Sequence, residues 1–232
     1  LPAFLSPTDV YEPLPAFTGY AFPMMIAERA FAASGLVWAA ALLLWQLLGA
    51  RGGGIRDYGA RAGSPARGVL YNFTVAMLPA HKETARLHRF KFAVGLVMHA
   101  GVLLAIIKTV ILLLTPEAGA LASVPAGGFL AAAAVAALFL FARRFLSRNL
   151  RPISSFDDYF AAFAVAVCLG TAAAHEFGAA GAGPFLLVVA AAAFYVPLGK
   201  LRHVLFCPAA RFDLGRRLGY RGTFPPVAGA KR

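Results

Sequence analysis

Residues 92–114 read FAVGLVMHAGVLLAIIKTVILLL, an apolar run whose ionisable residues are one histidine, His99, and one lysine, Lys108. A helix needs about 20 mainly apolar residues to cross the hydrocarbon core of a bilayer, and this run is long enough. An imidazole at such depth is costly unless a partner satisfies it, so His99 is a functional candidate from the outset. Four further runs match in length and apolarity, roughly Met24–Leu48, Val124–Phe145, Tyr159–Ala174 and Phe185–Phe206. The last carries His203 near its end.

Composition agrees with a membrane-embedded chain. Of 232 residues 60% are hydrophobic and only 14% charged, with a mean hydropathy of +0.71. Soluble domains rarely reach those values. Gly/Pro-rich links at Gly52–Gly54, Ser64–Pro65, Thr115–Pro116 and Gly181–Pro184 separate the runs. The expected fold is therefore all-α, an integral membrane protein built as a bundle of five transmembrane helices in a single domain over 1–232. Residues 207–232 form its basic tail. The Ala-rich stretches Ala131–Ala134 and Ala190–Ala193 point to close helix packing, and no internal repeat suggests a transporter.

The net charge of +12 does not indicate nucleic-acid binding, because the basic residues fall in short connections beside apolar helices. Three regions hold 20 of the 22 Lys and Arg: the link over 49–91, the link with Arg143, Arg144, Arg148 and Arg151, and the end from Lys200 onward. Alternation of the helices puts all three on one side. The other side keeps Arg29 with Asp9, Glu12, Glu28, Glu117 and Glu176. The positive-inside rule then predicts an N-terminus outside and a cytoplasmic C-terminus. Cys168 and Cys207 form no CxxC or CxxCH, which argues against covalent haem attachment and a Cys-ligated iron–sulfur cluster within the chain.

His99 lies about 12 Å in from Lys91 at about 1.5 Å per residue, and His203 lies near the same face. Two imidazoles on different helices in one leaflet can be axial ligands of a single b-type haem iron, about 4 Å apart across the metal. A hydrogen bond to a neighbouring helix is the plainer use of each. Lys200 and Arg202 flank His203 and can neutralise haem propionates, while Gly95 and Gly101 would let a porphyrin approach the backbone. His88, about three turns before His99, is an alternative ligand for His203 or for a second haem. His81, beside Lys82 and Glu83, reads as a surface residue.

At these residues the chain resembles the cytochrome b (gamma) subunit of respiratory nitrate reductase and its wider family. That family includes the membrane subunits of heterodisulfide-reductase-like and sulfite-reduction-associated complexes. Val97-Met98-His99-Ala100-Gly101 is similar to the apolar-apolar-His-x-Gly segment, and Pro197 through Lys200 to His203 to the Pro-x-x-basic-x-x-His ending. Leu146 to Arg151, leading through Ser154, Ser155 and Asp158, resembles the third cytoplasmic link, so the likeness spans about residues 90–220. It implies a bacterial or archaeal cytoplasmic membrane protein with His99 and His203 on the iron. Its function would be electron transfer between quinone (menaquinone included) and a cytoplasmic iron–sulfur subunit, with room for other membrane or periplasmic cytochrome subunits. One departure matters: Thr109 and Phe185 stand where the family's second histidine pair would be, so one haem is expected. A displaced second haem would have to draw on His175 or His88.

Quinone chemistry needs hydrogen-bond donors and a proton acceptor. Lys108, a buried amine, is a candidate quinone partner or else snorkels to the interface; His175 with Glu176 is a proton site or a wet helix end. An inner quinone site near His88, Lys82 and Glu83 is the alternative location. The final substrate's chemistry would belong to other subunits, and a haem-free anchor or assembly subunit is the competing function.

Overall fold

The computed structural model describes residues 18–51, 63–81, 83–115 and 123–220. Several charged positions used for the topology lie outside these, among them Asp9, Glu12, Arg56, Arg61, Lys82, Glu117 and the tail from 221 to 232. Every regular element among the described residues is helical. The long helices are α1 (Thr18–Arg51), α4 (Arg89–Leu114), α5 (Val124–Leu146) and α6 (Phe156–Glu176). Shorter ones are α2 (Pro65–Phe73), α3 (Glu83–Leu87), α7 (Ala182–Tyr195) and α8 (His203–Tyr220).

Four helices, α1, α4, α5 and α6, are long and apolar enough to cross a membrane. Helix α7 and the segment Lys200–Arg217 make a fifth if that bent pair is one span. Here the expected straight helix over Phe185–Phe206 is corrected. The chain leaves the helix after Tyr195, passes through a short 3₁₀ turn at Lys200–Arg202, and restarts as α8 at 87° to α7. Pro197 has no N–H to continue the ladder. Gly199 then takes an extended conformation (φ −114, ψ −165), and its missing side chain makes room for a ring: a Cβ there would lie 2.2 Å from Tyr195 Cζ. His203 is thus the first residue of α8 rather than a residue inside an apolar span.

Helix α1 packs along α7, α7 on α6, α6 on α5 and α5 on α4, while α4 also reaches α6 and α7. Small residues set these spacings. Gly101 meets α5 so closely that a Cβ would sit 2.2 Å from the Ala133 Cβ, and Gly35 rests on Ala190 and Ala193 of α7. Buried Ala133, Ala134, Ala137, Ala166, Ala173 and Ala190 line the interior around Leu112, Leu130, Leu169 and Phe185. Close backbone approach through small side chains is how helices associate where lipid removes the hydrophobic drive between them. Large apolar side chains such as Leu96, Leu103, Val135 and Trp45 point outward, as a lipid-facing surface requires.

Residues 207–220 of the expected basic tail are helical. They complete α8, which packs on α2 through glycines: a Cβ on Gly68 would fall 2.2 Å from the Gly215 carbonyl oxygen and 2.9 Å from Gly219 Cα. Asn72 Nδ2 donates to Arg211 O (2.6 Å) and an Arg211 guanidinium N–H donates to Asn72 O (2.9 Å), locking the crossing.

Candidate functional site

Residues 156–158 open α6 with a capping box in which Ser155 and Asp158 satisfy each other's backbone. Asp157 and Asp158 sit where the helix dipole favours negative charge, and both reach across to the α7–α8 bend. Asp157 Oδ2 accepts the Lys200 backbone N–H at 3.0 Å, and its other oxygen accepts the Tyr195 hydroxyl. Asp158 pairs with the Lys200 ammonium and with Arg144 of α5 at 3.1 Å. On the far side of the bend, Gln46 of α1 donates to Pro197 O at 3.0 Å. The bend is therefore anchored from α1 and α6, with Arg144 of α5 steadying Asp158, and Lys200 is its central post.

Held this way, the Lys200 carbonyl lies 2.8 Å from His203 Nδ1. His99 makes the equivalent contact within α4, Nδ1 to Gly95 O at 2.7 Å. A ring nitrogen facing a carbonyl oxygen must carry the proton, which leaves Nε2 as the lone-pair atom in a neutral imidazole. Both rings are exposed on the protein surface, and their centroids are 6.4 Å apart with planes inclined by 68°. Two sequence-predicted residues, 104 positions apart (99 to 203), are thus brought together with the same nitrogen of each fixed by backbone.

Other predicted residues fall elsewhere. Lys200 is engaged with Asp158, so its ammonium serves the bend. Arg202 is exposed and lines a cavity against the end of α1. His88 occupies the exposed N-cap position of α4. Of the two glycines beside His99, Gly101 is used up in packing on Ala133, whereas a Cβ on Gly95 would meet nothing within 4 Å. Among the described residues no group of three or more His, Cys, Asp or Glu could hold a metal ion; His99 and His203 are a pair and fall below that count.

At the opposite end of the bundle Lys108 meets Glu176 at 2.6 Å, with the two side chains 13% and 1% exposed. Glu176 Oε2 also accepts the Ser123 N–H at 2.9 Å, tying α6 to the start of α5. Lys108 therefore does not snorkel alone, and the end of α6 is not wet: His175 is 4% exposed, and its Nε2 has no hydrogen-bond partner among the described residues. Thr109 bonds back to Ala105 O at 2.8 Å, and Phe185 is fully buried in the core. Both positions are consumed by packing.

Sequence reasoning overlooked Asp157, Tyr195 and Gln46. A signal existed for the first, since Ser155-Phe156-Asp157-Asp158 reads as a helix start with acidic first-turn residues. Nothing local marks the other two. No protein family, curated protein or solved structure matches this chain.

Proposed function

We propose that this chain is a membrane cytochrome b subunit that carries electrons between membrane quinone and a cytoplasmic iron–sulfur partner of a multisubunit oxidoreductase, using one haem b held by His99 and His203. The observation that carries the reading is the 6.4 Å centroid separation. Two imidazoles that held one iron between their Nε2 atoms would have centroids about 6 Å apart, and the separation is compatible with that. Both Nδ1 atoms bond to backbone carbonyls, which supports Nε2 as the ligating atom and orients each ring. Open space at Gly95 beside the pair suits a flat macrocycle against α4.

Held by His99 and His203, a haem would supply one-electron transfer, its potential tuned by the residues that hold it and their hydrogen bonds. The chain's own part is to hold the two imidazoles at fixed separation and tautomer. His203 is positioned by the Lys200 carbonyl, and Lys200 by Asp157 and Asp158. The bundle would sit in a bacterial or archaeal cytoplasmic membrane, with the basic end that carries the histidine pair facing the cytoplasm by the positive-inside rule. Arg211, Arg216 and Arg217 on α8 lie on that face and suit contact with anionic lipid or an acidic partner subunit.

A reduced-minus-oxidised visible spectrum of the purified protein tests this. A b-type α-band at about 560 nm is expected, and it should disappear in His99→Ala and in His203→Ala at normal expression. A band that survives both substitutions would put the ligands elsewhere. No band in the parent protein would leave a haem-free anchor or assembly subunit as the function.

A further inference from the structure

The cavity that Arg202 lines is a groove of about 610 Å³ between the last turns of α1 and the start of α8. Trp45, Leu48, Gly49 and Ala50 face it from α1, and Arg202 and Phe206 from the other side. Its walls are tied to each other, because Gln46 donates to Pro197 O at 3.0 Å and Trp38 Nε1 to Phe194 O at 3.3 Å. The chain turns by 87° between α7 and α8, so where α7 spans a bilayer α8 follows its surface. Arg202, at that turn, then stands at the level of the lipid headgroups.

Two properties of the groove define its occupant. Arg202 is exposed, and among the described residues no carboxylate pairs with its guanidinium, whereas Lys200 beside it is engaged with Asp158. A planar guanidinium that can offer two parallel N–H bonds suits a phosphate. Beyond it the groove runs into an exposed apolar stripe on α1, formed by Leu48, Trp45, Leu44, Ala41 and Val37. From Leu48 to Val37 the stripe extends about 16 Å at about 1.5 Å per residue, the depth of one leaflet of a hydrocarbon core about 30 Å thick. A phosphate at the mouth and an acyl chain along the stripe are two parts of one molecule. We propose that the groove binds a single glycerophospholipid of net negative charge, its phosphate on Arg202 and one chain along α1 past Trp45. A zwitterionic lipid carries its own ammonium, which competes for the phosphate, so the unpaired cation selects an anionic headgroup. The inference requires the bundle to lie in a membrane and needs no haem.

The test uses the full-length protein carrying Trp38→Phe, which leaves Trp45 as the one tryptophan. It is reconstituted in phosphatidylcholine vesicles that contain a graded fraction of either phosphatidylglycerol or phosphatidylcholine brominated high on one acyl chain, and Trp45 emission is read. Bromine quenches on contact, so the two curves give the preference of this surface for the anionic lipid. A preference of about fivefold is expected. Arg202→Gln should bring it to parity, and so should Gly49→Phe by filling the groove, since a Cβ at Gly49 meets nothing within 4 Å. Arg148→Gln removes an exposed cation of the same basic end, outside the groove, and should leave the preference unchanged. No preference in the parent, a preference that survives Arg202→Gln, or one that falls equally with Arg148→Gln overturns the proposal. Inorganic phosphate that abolishes the preference, where chloride at equal ionic strength does not, assigns Arg202 to a free anion and overturns it too. A visible spectrum of the same samples separates this site from the cytochrome reading. Lipid preference without haem absorbance keeps the site and removes the haem, whereas haem lost in Arg202→Gln at unchanged lipid preference gives the guanidinium to the propionates instead.

Discussion

The ion pair between Lys108 and Glu176 offers a prediction whose size comes from its geometry. At 2.6 Å, and with Glu176 1% exposed, the charges attract by about 6 kcal/mol at an effective dielectric of about 20. Desolvation of both groups offsets much of that gain, so the pair as a whole contributes little net stability. Its removal in halves is another matter. Lys108→Met leaves a buried carboxylate without this ammonium and should cost about 3–5 kcal/mol, and Glu176→Gln takes one charged partner from Lys108 and should cost less. The double variant removes both charges and should be destabilised by clearly less than the sum of the two, with a coupling of at least about 2 kcal/mol. Equilibrium unfolding in mixed micelles with increasing SDS, followed by far-UV circular dichroism, measures all four corners of the cycle. Additive effects would refute the argument, because they would mean that Lys108 reaches water and never relies on Glu176.

Three more expectations come from the basic end and the α2–α8 crossing. Gly68→Ala places a methyl against the Gly215 and Gly219 backbone, and should cost about 1–3 kcal/mol; faster hydrogen exchange in α8 would reveal the loosened crossing, and unchanged exchange would contradict it. Gly199→Ala intrudes on the Tyr195 ring and should lower haem content by disturbing the bend that presents His203, whereas Gly49→Ala, with open space around it, should leave haem content unchanged and stability within about 0.5 kcal/mol of the parent. Asp157→Asn weakens the hold on Lys200, whose carbonyl fixes His203. A changed midpoint potential or low-spin electron paramagnetic resonance signal at near-normal haem content is the expected outcome, and an unaltered signal would show that Asp157 does not act on the ligand.

Much of the fold is legible in the sequence because lipid imposes a simple rule on it. A run such as Phe92–Leu114 has to be helical to satisfy its backbone without water; α4, α5 and α6 appear within three residues of the expected bounds, and α1 starts six residues before the expected Met24. The fifth run misleads. Hydropathy continues smoothly past Tyr195, so the average conceals the break that Pro197 and Gly199 impose, and in the sequence those two residues look like no more than parts of a motif. The α2–α8 pairing is unreadable for a different reason: glycines spaced along a basic segment look like a flexible tail until a second glycine is known to face them. At the site, His99 and His203 are conspicuous as polar residues in apolar surroundings. What orients them is not, since the link from Asp157 through Lys200 to His203 depends on which helix ends meet in space. The Lys108–Glu176 pair is hidden in the same way, its partners standing on α4 and α6 with all of α5 between them in the chain.

The central claim is that two imidazoles share one iron. Pyridine haemochrome quantification on the purified chain, set against protein concentration from amino-acid analysis, tests it most directly. Close to one protohaem per chain is expected in the parent and close to none in His99→Ala or His203→Ala. A ratio near two, or haem retained in either variant, would contradict it.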